Sequence, residues 1–278
     1  MLRLFVFGTI ATLLIAAPRS ASAAADPLVS TEWLQQHLND PQVRVVATGD
    51  RGRFDRGHIP GARFLEHMDT LGSGHTLLPP DKLAVVLAKA GAADGIHVVL
   101  YGDSPMTTGW VYMAIGSVGH EGDVSMLDGS VELWRSQGRP VETTATPPAG
   151  GTLTVRPAPD LAVDAAWVRA HLDSPAIRLL DVRTAGEWSG GHLPNATLVL
   201  WQDLFADQRN LTFKSPDDIR ALFAKAGVKP DQQVVTYCMV GMRASLMYWA
   251  ARSVGLPARV YVGSWQDWSK SAENPVVR

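Results

Sequence analysis

The stretch Val234-Val235-Thr236-Tyr237-Cys238-Met239-Val240-Gly241-Met242-Arg243-Ala244-Ser245 contains the only cysteine of the 278-residue chain. An apolar, β-branched run leads into the thiol, and a short turn with a glycine then leads into a helix-compatible segment. This pattern predicts a strand, a turn and a helix, with the sulfur of Cys238 at the helix N-terminus. Backbone N–H groups and the helix dipole favour a thiolate at such a place. A buried structural cysteine is the alternative that the local sequence leaves open.

The beginning of the chain predicts the compartment in which this thiol acts. A basic start at residues 1–3, an apolar run over 4–17 and the small residues 21–23 predict a secretory signal peptide over residues 1–25. The apolar run is shorter than the roughly 20 residues that a membrane span needs. We therefore expect an exported, periplasmic protein. A lone cysteine in an oxidising compartment has no partner for an internal disulfide, so it is either buried and inert or reactive.

Composition excludes several classes of function. Hydrophobic residues make up 46% of the chain and its formal net charge is −2, as expected for ordinary globular domains. No basic stripe indicates nucleic acid, and no second apolar segment indicates a membrane protein once the leader is removed. The eight histidines are scattered and form no Cys/His cluster. The sequence therefore indicates no metal and no cofactor.

An internal repeat organises the rest of the chain. Eight identities recur at an offset of 134 residues, and they pair Trp33, His37, Pro41, Arg44, Gly57, His58, Pro60 and Ala62 with Trp167, His171, Pro175, Arg178, Gly191, His192, Pro194 and Ala196. The offset then becomes 136, pairing Pro80 with Pro216 and Tyr101 with Tyr237. The chain is therefore a tandem duplication whose halves differ by small loop insertions.

Composition also predicts the domain boundaries. Residues 141–160 are rich in Pro, Thr and Gly, which predicts an extended linker across the surface. We therefore expect a signal peptide at 1–25, a first domain at 26–140, the linker at 141–160 and a second domain at 161–278.

Each half alternates strands and helices. In the second half the pattern predicts helices at 167–172, 216–226 and 244–254, and strands at 177–182, 234–237 and 259–262. This alternation predicts an α/β fold in which each domain is a parallel β-sheet flanked by helices. Because chemistry collects beyond the carboxyl ends of the strands in such sheets, Cys238 is well placed for it.

Three motifs in order resemble those of the rhodanese, or sulfurtransferase, family. Residues 181–183 with Glu187 and residues 190–196 resemble the first signature, residues 238–244 resemble the active-site loop, and residues 263–268 resemble the closing motif. The resemblance extends to residues 57–62 of the first half and so covers essentially the whole mature chain. It implies two tandem rhodanese-like domains and no cofactor.

The duplication indicates which half is active. Gly102 lies opposite Cys238 at the offset of 136, so the first half has no sulfur at the active-site position. We therefore expect a catalytically silent first domain, as the resemblance to two-domain family members also implies. The silent half would stabilise the active one and wall one side of its pocket.

The resemblance implies sulfur transfer through a persulfide on Cys238. The thiolate would attack the outer sulfur of a donor such as thiosulfate, and cyanide or a thiol would then accept this sulfur. A protein exported with it is a further candidate acceptor. In the loop Met239, Val240, Gly241, Met242 and Arg243 we expect backbone N–H groups to stabilise the anion. The alternative to turnover is a sulfur carrier or sulfur-binding protein that serves an exported partner.

The charged residues near the loop allow more than one role. Arg243 is predicted either to face the loop interior or to brace the loop through an ion pair with Asp181 or Glu187, and its bidentate geometry favours bracing. Arg183 follows a strand end, where it would meet an anionic donor or form a surface salt bridge. His192 is predicted to be structural, because His58 repeats it in the silent half.

Departures from the family pattern leave the donor open. Known two-domain thiosulfate enzymes carry basic residues directly after the cysteine, where this chain has Met239 and Val240. They also carry a second arginine at the position of Glu187. Related phosphatases need five residues between cysteine and arginine, whereas four separate Cys238 from Arg243 here, which argues against a phosphatase.

Overall fold

The computed structural model describes residues 25–144, 146–147, 150–156, 158 and 161–278. The predicted signal peptide comprises residues 1–25. All of it except Ala25 lies outside the described residues. In the described part of the chain, two five-stranded parallel sheets form the framework, one in each half. No helix in this part is long and apolar enough to cross a membrane.

The first half builds its sheet in the strand order β1-β5-β4-β2-β3. Its strands are β1 (Leu28–Ser30), β2 (Val43–Thr48), β3 (Arg63–Phe64), β4 (His97–Gly102) and β5 (Val124–Asp128). Its helices are α1 (Thr31–His37), α2 (Arg51–Arg56), α3 (Pro80–Ala90), α4 (Pro105–Ser117) and α5 (Val131–Ser136), with 3₁₀ turns at His67–Thr70, Ser73–His75 and Glu121–Asp123.

The second half repeats this order as β6-β12-β11-β7-β8. Its sheet strands are β6 (Ala162–Val163), β7 (Ile177–Asp181), β8 (Thr197–Leu198), β11 (Gln233–Tyr237) and β12 (Ala258–Tyr261). A separate antiparallel hairpin consists of β9 (Phe205–Asp207) and β10 (Thr212–Phe213). The helices are α6 (Ala165–His171), α7 (Ala185–Ser189), α8 (Pro216–Lys225), α9 (Met242–Ser253) and α10 (Ser264–Trp268), with a 3₁₀ turn at Trp201–Leu204.

The predicted α/β fold with two parallel sheets is confirmed. All six elements predicted in the second half are present, with ends that differ by at most two residues. The sequence did not predict the hairpin β9–β10 or the short elements β6, β8, α7 and α10. Strands and helices of two to five residues are too short to show a period, so pattern alone does not reveal them.

Helices α4 and α9 pack against each other and join the two halves. All but two residues of α4 are buried, and so are the central residues 244–251 of α9. Each helix covers its own sheet on one side and the other helix on the opposite side, as a helix that is apolar on all sides requires. At their crossing a Cβ placed on Gly109 would lie 2.6 Å from Leu246 Cα, so only glycine fits there.

Polar contacts reinforce this junction. The carboxylate of Glu121 in the first half accepts hydrogen bonds from Tyr248 Oη at 3.0 Å and from Arg252 Nε at 3.0 Å in the second half. Tyr112, which the repeat pairs with Tyr248, donates to the same carboxylate at 3.4 Å. Burial is the main cause that raises the pKa of both tyrosines, and the charge of Glu121 is the second. Both side chains therefore remain protonated hydroxyl donors. The Glu121 carboxylate therefore links α4 to α9, its counterpart in the second half.

The described part of the linker lies against the first half. Asp94 accepts hydrogen bonds from Thr154 N at 3.3 Å and from Thr154 Oγ1 at 2.6 Å, and Leu153 is buried. The hydrogen bond from Thr154 is the main cause that lowers the pKa of Asp94. Residues 150–156 therefore form an extended segment that is attached to the first domain.

The close approach at Gly109 yields a stability prediction. We expect Gly109→Ala to lower the free energy of unfolding by about 1–3 kcal/mol, because the new Cβ forces α4 away from α9. Alanine favours a helix over glycine by roughly 1 kcal/mol, so helix propensity alone predicts the opposite sign. Urea unfolding followed by circular dichroism measures the change.

The matched control is Gly186→Ala in α7, where a Cβ would meet nothing within 4 Å. This variant is expected to be neutral or slightly more stable. Equal stability of Gly109→Ala and wild type would contradict the tight helix crossing.

Candidate active site

Cys238 lies at the carboxyl end of the central strand of its sheet. Strand β11 ends at Tyr237, the turn 238–241 follows, and α9 begins at Met242. The predicted strand, turn and helix around the cysteine are therefore confirmed. The side chain of Cys238 is only 1% exposed. The sulfur is thus held in a nearly closed site directly before a helix N-terminus.

The closing motif holds the base of this turn. Cys238 N donates to Ser264 Oγ at 3.0 Å, and Trp265 N donates to Cys238 O at 3.0 Å. Gln266 N donates to Met239 O, also at 3.0 Å. Ser264 has a φ of +55°, which is uncommon for a residue with a β-carbon and shows a locally constrained turn. Sequence reasoning marked residues 263–265 as a motif but assigned no role to Ser264.

Gly241 lets the turn pass between two walls. Its φ is +86°, and a Cβ there would lie 2.8 Å from Val262 O and 3.3 Å from Trp110 Cζ3. Glycine is therefore needed both for the left-handed backbone and for the space. Trp110 belongs to the first half, where its Nε1 donates to Thr70 Oγ1 at 2.9 Å. The cysteine-free half thus supports the loop directly, through a residue that the sequence did not reveal.

Arg243 forms a bidentate ion pair with Glu187. Its Nη1 and Nη2 donate to the two carboxylate oxygens, each at 2.8 Å. The hydrogen bond from Arg243 is the main cause that lowers the pKa of Glu187 from 4.5 to about 2. The hydrogen bonds to Glu187 are the first cause that raises the pKa of Arg243. The guanidinium therefore braces the loop through Glu187, the role that its bidentate geometry favoured.

Arg183 differs from both roles predicted for it. Its side chain is 1% exposed, so it neither forms a surface salt bridge nor meets a donor from solvent. Its Nε and Nη2 donate to Asp181 at 2.9 and 2.6 Å, and Nη2 also donates to Gly191 O at 2.7 Å. The guanidinium carbon lies 4.7 Å from the ring centroid of Trp265. Burial alone would lower the pKa of Arg183, but the Asp181 carboxylate raises it.

This arrangement also corrects the prediction for Asp181. Asp181 was predicted as a loop-bracing partner of Arg243, but its carboxylate binds Arg183 instead. Asp181 is the last residue of β7 and is fully buried. Its carboxylate therefore pairs with the guanidinium of Arg183, two residues further along the chain. The loop is therefore braced by Glu187 alone of the two candidates.

One of the remaining loop residues, Val240, borders a cleft between the two halves. Met239, Val240 and Met242 are partly exposed. A cleft of about 440 Å³ reaches the loop at Val240, and residues 74–77 of the first half form its opposite wall. In the described residues, no group of three or more His, Cys, Asp or Glu side chains is placed to hold a metal ion.

His192 and His58 occupy equivalent places in the two halves. His192 stacks on Trp188 with ring centroids 3.5 Å apart, and its Nδ1 lies 3.2 Å from Trp188 O. His58 stacks on Phe54 at 3.9 Å, with its Nδ1 2.9 Å from Phe54 O. Both rings therefore make the same packing contacts, which agrees with the structural role expected from the repeat.

The position opposite Cys238 is closed in the first half. A Cβ on Gly102 would lie 2.5 Å from Thr48 O and 2.8 Å from Thr48 Oγ1. The Thr48 hydroxyl is in turn hydrogen bonded to those of Thr107 and Thr108, at 3.1 and 3.0 Å. A cluster of threonine hydroxyls thus fills the space in which a side chain at this position would need to lie.

Comparisons with known proteins bear on both halves. A family model described as "Rhodanese-like domain" matches residues 30–137 and 164–271. The sulfur carrier protein TtuD of Thermus thermophilus is 29% identical, with 92% of this chain and 98% of that protein covered. A thiosulfate sulfurtransferase of Azotobacter vinelandii is 27% identical, with 87% and 94% covered.

The fold is also similar to that of a solved structure. The crystal structure of SseA from Escherichia coli, a 3-mercaptopyruvate sulfotransferase by its description, has a TM-score of 0.75 and 23% identity to this chain. The match covers 87% of this chain and 99% of SseA. At this identity the match establishes the shared two-sheet fold.

The ion pair at the loop yields a pH prediction. Because the Glu187 pKa is lowered from 4.5 to about 2, the pair stabilises the fold above pH 4.5 and this contribution is lost as the pH falls towards 2. We expect Glu187→Gln to lower the free energy of unfolding by about 1–2 kcal/mol at pH 6. The difference from wild type should shrink between pH 4.5 and 3, as measured by urea unfolding at each pH.

Asp217→Asn is the matched control, because the ion pair of Asp217 with Arg220 is on the surface and its carboxylate side chain is 93% exposed. Its expected cost is below about 0.5 kcal/mol. A Glu187→Gln difference that stays constant from pH 6 to 3 would show that the ionised pair is not its cause.

Proposed function

This chain belongs to the rhodanese family and is a sulfurtransferase with two tandem rhodanese-like domains, and we propose that it transfers a sulfane sulfur through a persulfide on Cys238. The donor is a small molecule such as thiosulfate, and the acceptor is cyanide or a thiol. The observation that carries this proposal is a single, nearly buried thiol in a loop that the ion pair of Arg243 with Glu187 braces. One nucleophile of this kind suffices for both half-reactions.

The proposed chemistry needs no second cysteine and no cofactor. The Cys238 thiolate attacks the outer sulfur of thiosulfate, the S–S bond of the donor breaks, and sulfite leaves with the electron pair. Cyanide then attacks the outer sulfur of the persulfide and leaves as thiocyanate, which restores the thiolate. Both steps are displacements at sulfur, so no oxidant or reductant is consumed.

The surroundings of Cys238 fit the anions that this reaction requires. The turn that carries Cys238 leads directly into the N-terminus of α9, where backbone N–H groups and the helix dipole favour an anion such as the persulfide. The hydrogen bonds from Cys238 N to Ser264 and from Trp265 N to Cys238 O hold the loop in one position. A loop that is already in place requires no reorganisation when charge develops on sulfur.

A sulfur carrier that turns over slowly is the second candidate. The observation that favours it is the 1% exposure of Cys238, because a nearly closed site limits the access of small acceptors. The relative from Thermus thermophilus is named a sulfur carrier protein. In this version the acceptor is an exported protein, and the persulfide forms but is removed slowly by cyanide.

Export to the periplasm is part of this proposal. It rests on the leader-like pattern of residues 1–25. Amino-terminal sequencing of the protein purified from the periplasmic fraction tests it, with a mature start near residue 24–26 as the expected result. Recovery of the full-length chain from the cytoplasm would contradict it.

Sulfur loading of the purified protein tests the catalytic proposal. After incubation with thiosulfate, methanethiosulfonate or an organic persulfide, the intact mass should rise by one sulfur atom in wild type and not in Cys238→Ser. Added cyanide should remove this mass and produce thiocyanate over many cycles. A single cycle would favour the carrier, and no loading by any donor would exclude both versions.

The closed position in the first half yields a second prediction. In a Cys238→Ser background we expect Gly102→Cys to show no sulfur loading, because its Cβ would clash with Thr48 O at 2.5 Å. The new side chain should also reduce the stability of the first domain, by about 1–3 kcal/mol. Sulfur loading of this double variant comparable to that of wild type would show that the first half lacks only the thiol.

A further inference from the structure

The two arginines of the sequence motifs around Cys238 are each paired with a carboxylate. Arg243 uses both of its terminal nitrogens on Glu187, and Arg183 is buried against Asp181. Each guanidinium is balanced by its own carboxylate. Neither arginine therefore offers an unpaired positive charge to an anionic donor.

The loop itself adds no compensating charge. The residues between Cys238 and Arg243 are Met239, Val240, Gly241 and Met242, which carry no cation. A sulfonate group with two negative charges would have to lie against methionine and valine side chains. Without a partner, each buried charge is costly because it loses its hydration.

The cleft beside the loop has the same character. Its walls next to the loop are the apolar side chains of Leu77, Val240 and Val262. Asp164 and Asp267 contribute two carboxylates to its lining, Lys270 contributes one ammonium group and His75 an imidazole. A volume of about 440 Å³ accommodates an organic substituent, whereas the charges lining the cleft do not favour a dianion.

We propose that this site selects sulfane-sulfur donors that carry one negative charge and an organic substituent, over dianionic thiosulfate. The proposal rests on the proposed function and names its donor class as thiosulfonates and organic persulfides. With methanethiosulfonate the Cys238 thiolate attacks the terminal sulfur, the S–S bond breaks, and methanesulfinate leaves with the electron pair. The products are the same Cys238 persulfide and an organic sulfinate instead of sulfite.

Thiosulfate and methanethiosulfonate form a matched pair for the test. They differ in one group, since a methyl replaces one charged oxygen, and both deliver the same sulfur. The measured quantity is the second-order rate constant of persulfide formation, from intact mass in single-turnover experiments. Each rate constant is divided by that of a free thiol with the same donor, which removes the intrinsic reactivity. We expect the normalised value for methanethiosulfonate to be about tenfold higher.

A charge placed in the loop should reverse this preference. Val240→Lys is expected to raise thiosulfate loading about tenfold and methanethiosulfonate loading only about threefold, because the lysine attracts two charges rather than one. Val240→Leu changes the size of the side chain without charge and is expected to leave the ratio of the two rates as in wild type. Met239→Lys is a second variant of the same kind, should Val240→Lys fold poorly.

Salt provides a test that needs no variant. Added salt screens charge repulsion, so it should accelerate thiosulfate loading of wild type and slow that of Val240→Lys. Thiosulfate loading that is faster than methanethiosulfonate loading after normalisation, or that salt slows in wild type, would overturn the donor preference alone. Failure of thiosulfate, methanethiosulfonate and an organic persulfide to load any sulfur would instead overturn the proposed function.

Discussion

The contact between α4 and α9 is the constraint on which the rest of the structure depends. Both helices are buried on nearly every side, so neither has a polar face to present to water. Each half can cover one side of its helix with its own sheet, but the other side needs a second helix of the same kind. The close approach at Gly109 and Leu246 lets them meet. This explains why a half without a cysteine remains part of the fold that holds Cys238.

The same contact positions the loop that carries Cys238. Trp110 on α4 lies against Gly241, and Val262 O closes the opposite side, so the turn after Cys238 has room only for a glycine. Ser264 and Trp265 then bind the peptide groups of Cys238 from below. Because both halves hold the loop, the position of the sulfur does not depend on the intrinsic rigidity of a four-residue turn. Its position is determined by packing that extends well beyond the loop.

The two halves share a framework and differ at their sites. In each half a buried tyrosine hydroxyl accepts a hydrogen bond at 3.1 Å from the motif after the glycine and histidine, Tyr101 from Ile59 N and Tyr237 from Leu193 N. At the site itself, Gly102 replaces Cys238, and Thr48 O with the hydroxyls of Thr48 and Thr108 leaves no room for a Cβ on it. The difference is therefore larger than the loss of one thiol. The first half retains what supports the fold, but it has neither the thiol nor room for a side chain at position 102.

The sequence by itself determined the features that depend on neighbouring residues along the chain. The repeat, the parallel sheets and the turn at Cys238 follow from local periodicity, from glycine and from identities at a constant offset. It also limited the partners of Arg243 to two acids. Only the tertiary structure decides which of the two acids pairs with Arg243, because both acids are distant from Arg243 in the sequence. The fully buried Asp181 carboxylate needs a cation as partner, and it pairs with the nearby guanidinium of Arg183. Arg243 therefore pairs with Glu187. The contact of Trp110 with Gly241 joins residues more than a hundred positions apart, and only packing between the two halves could reveal it.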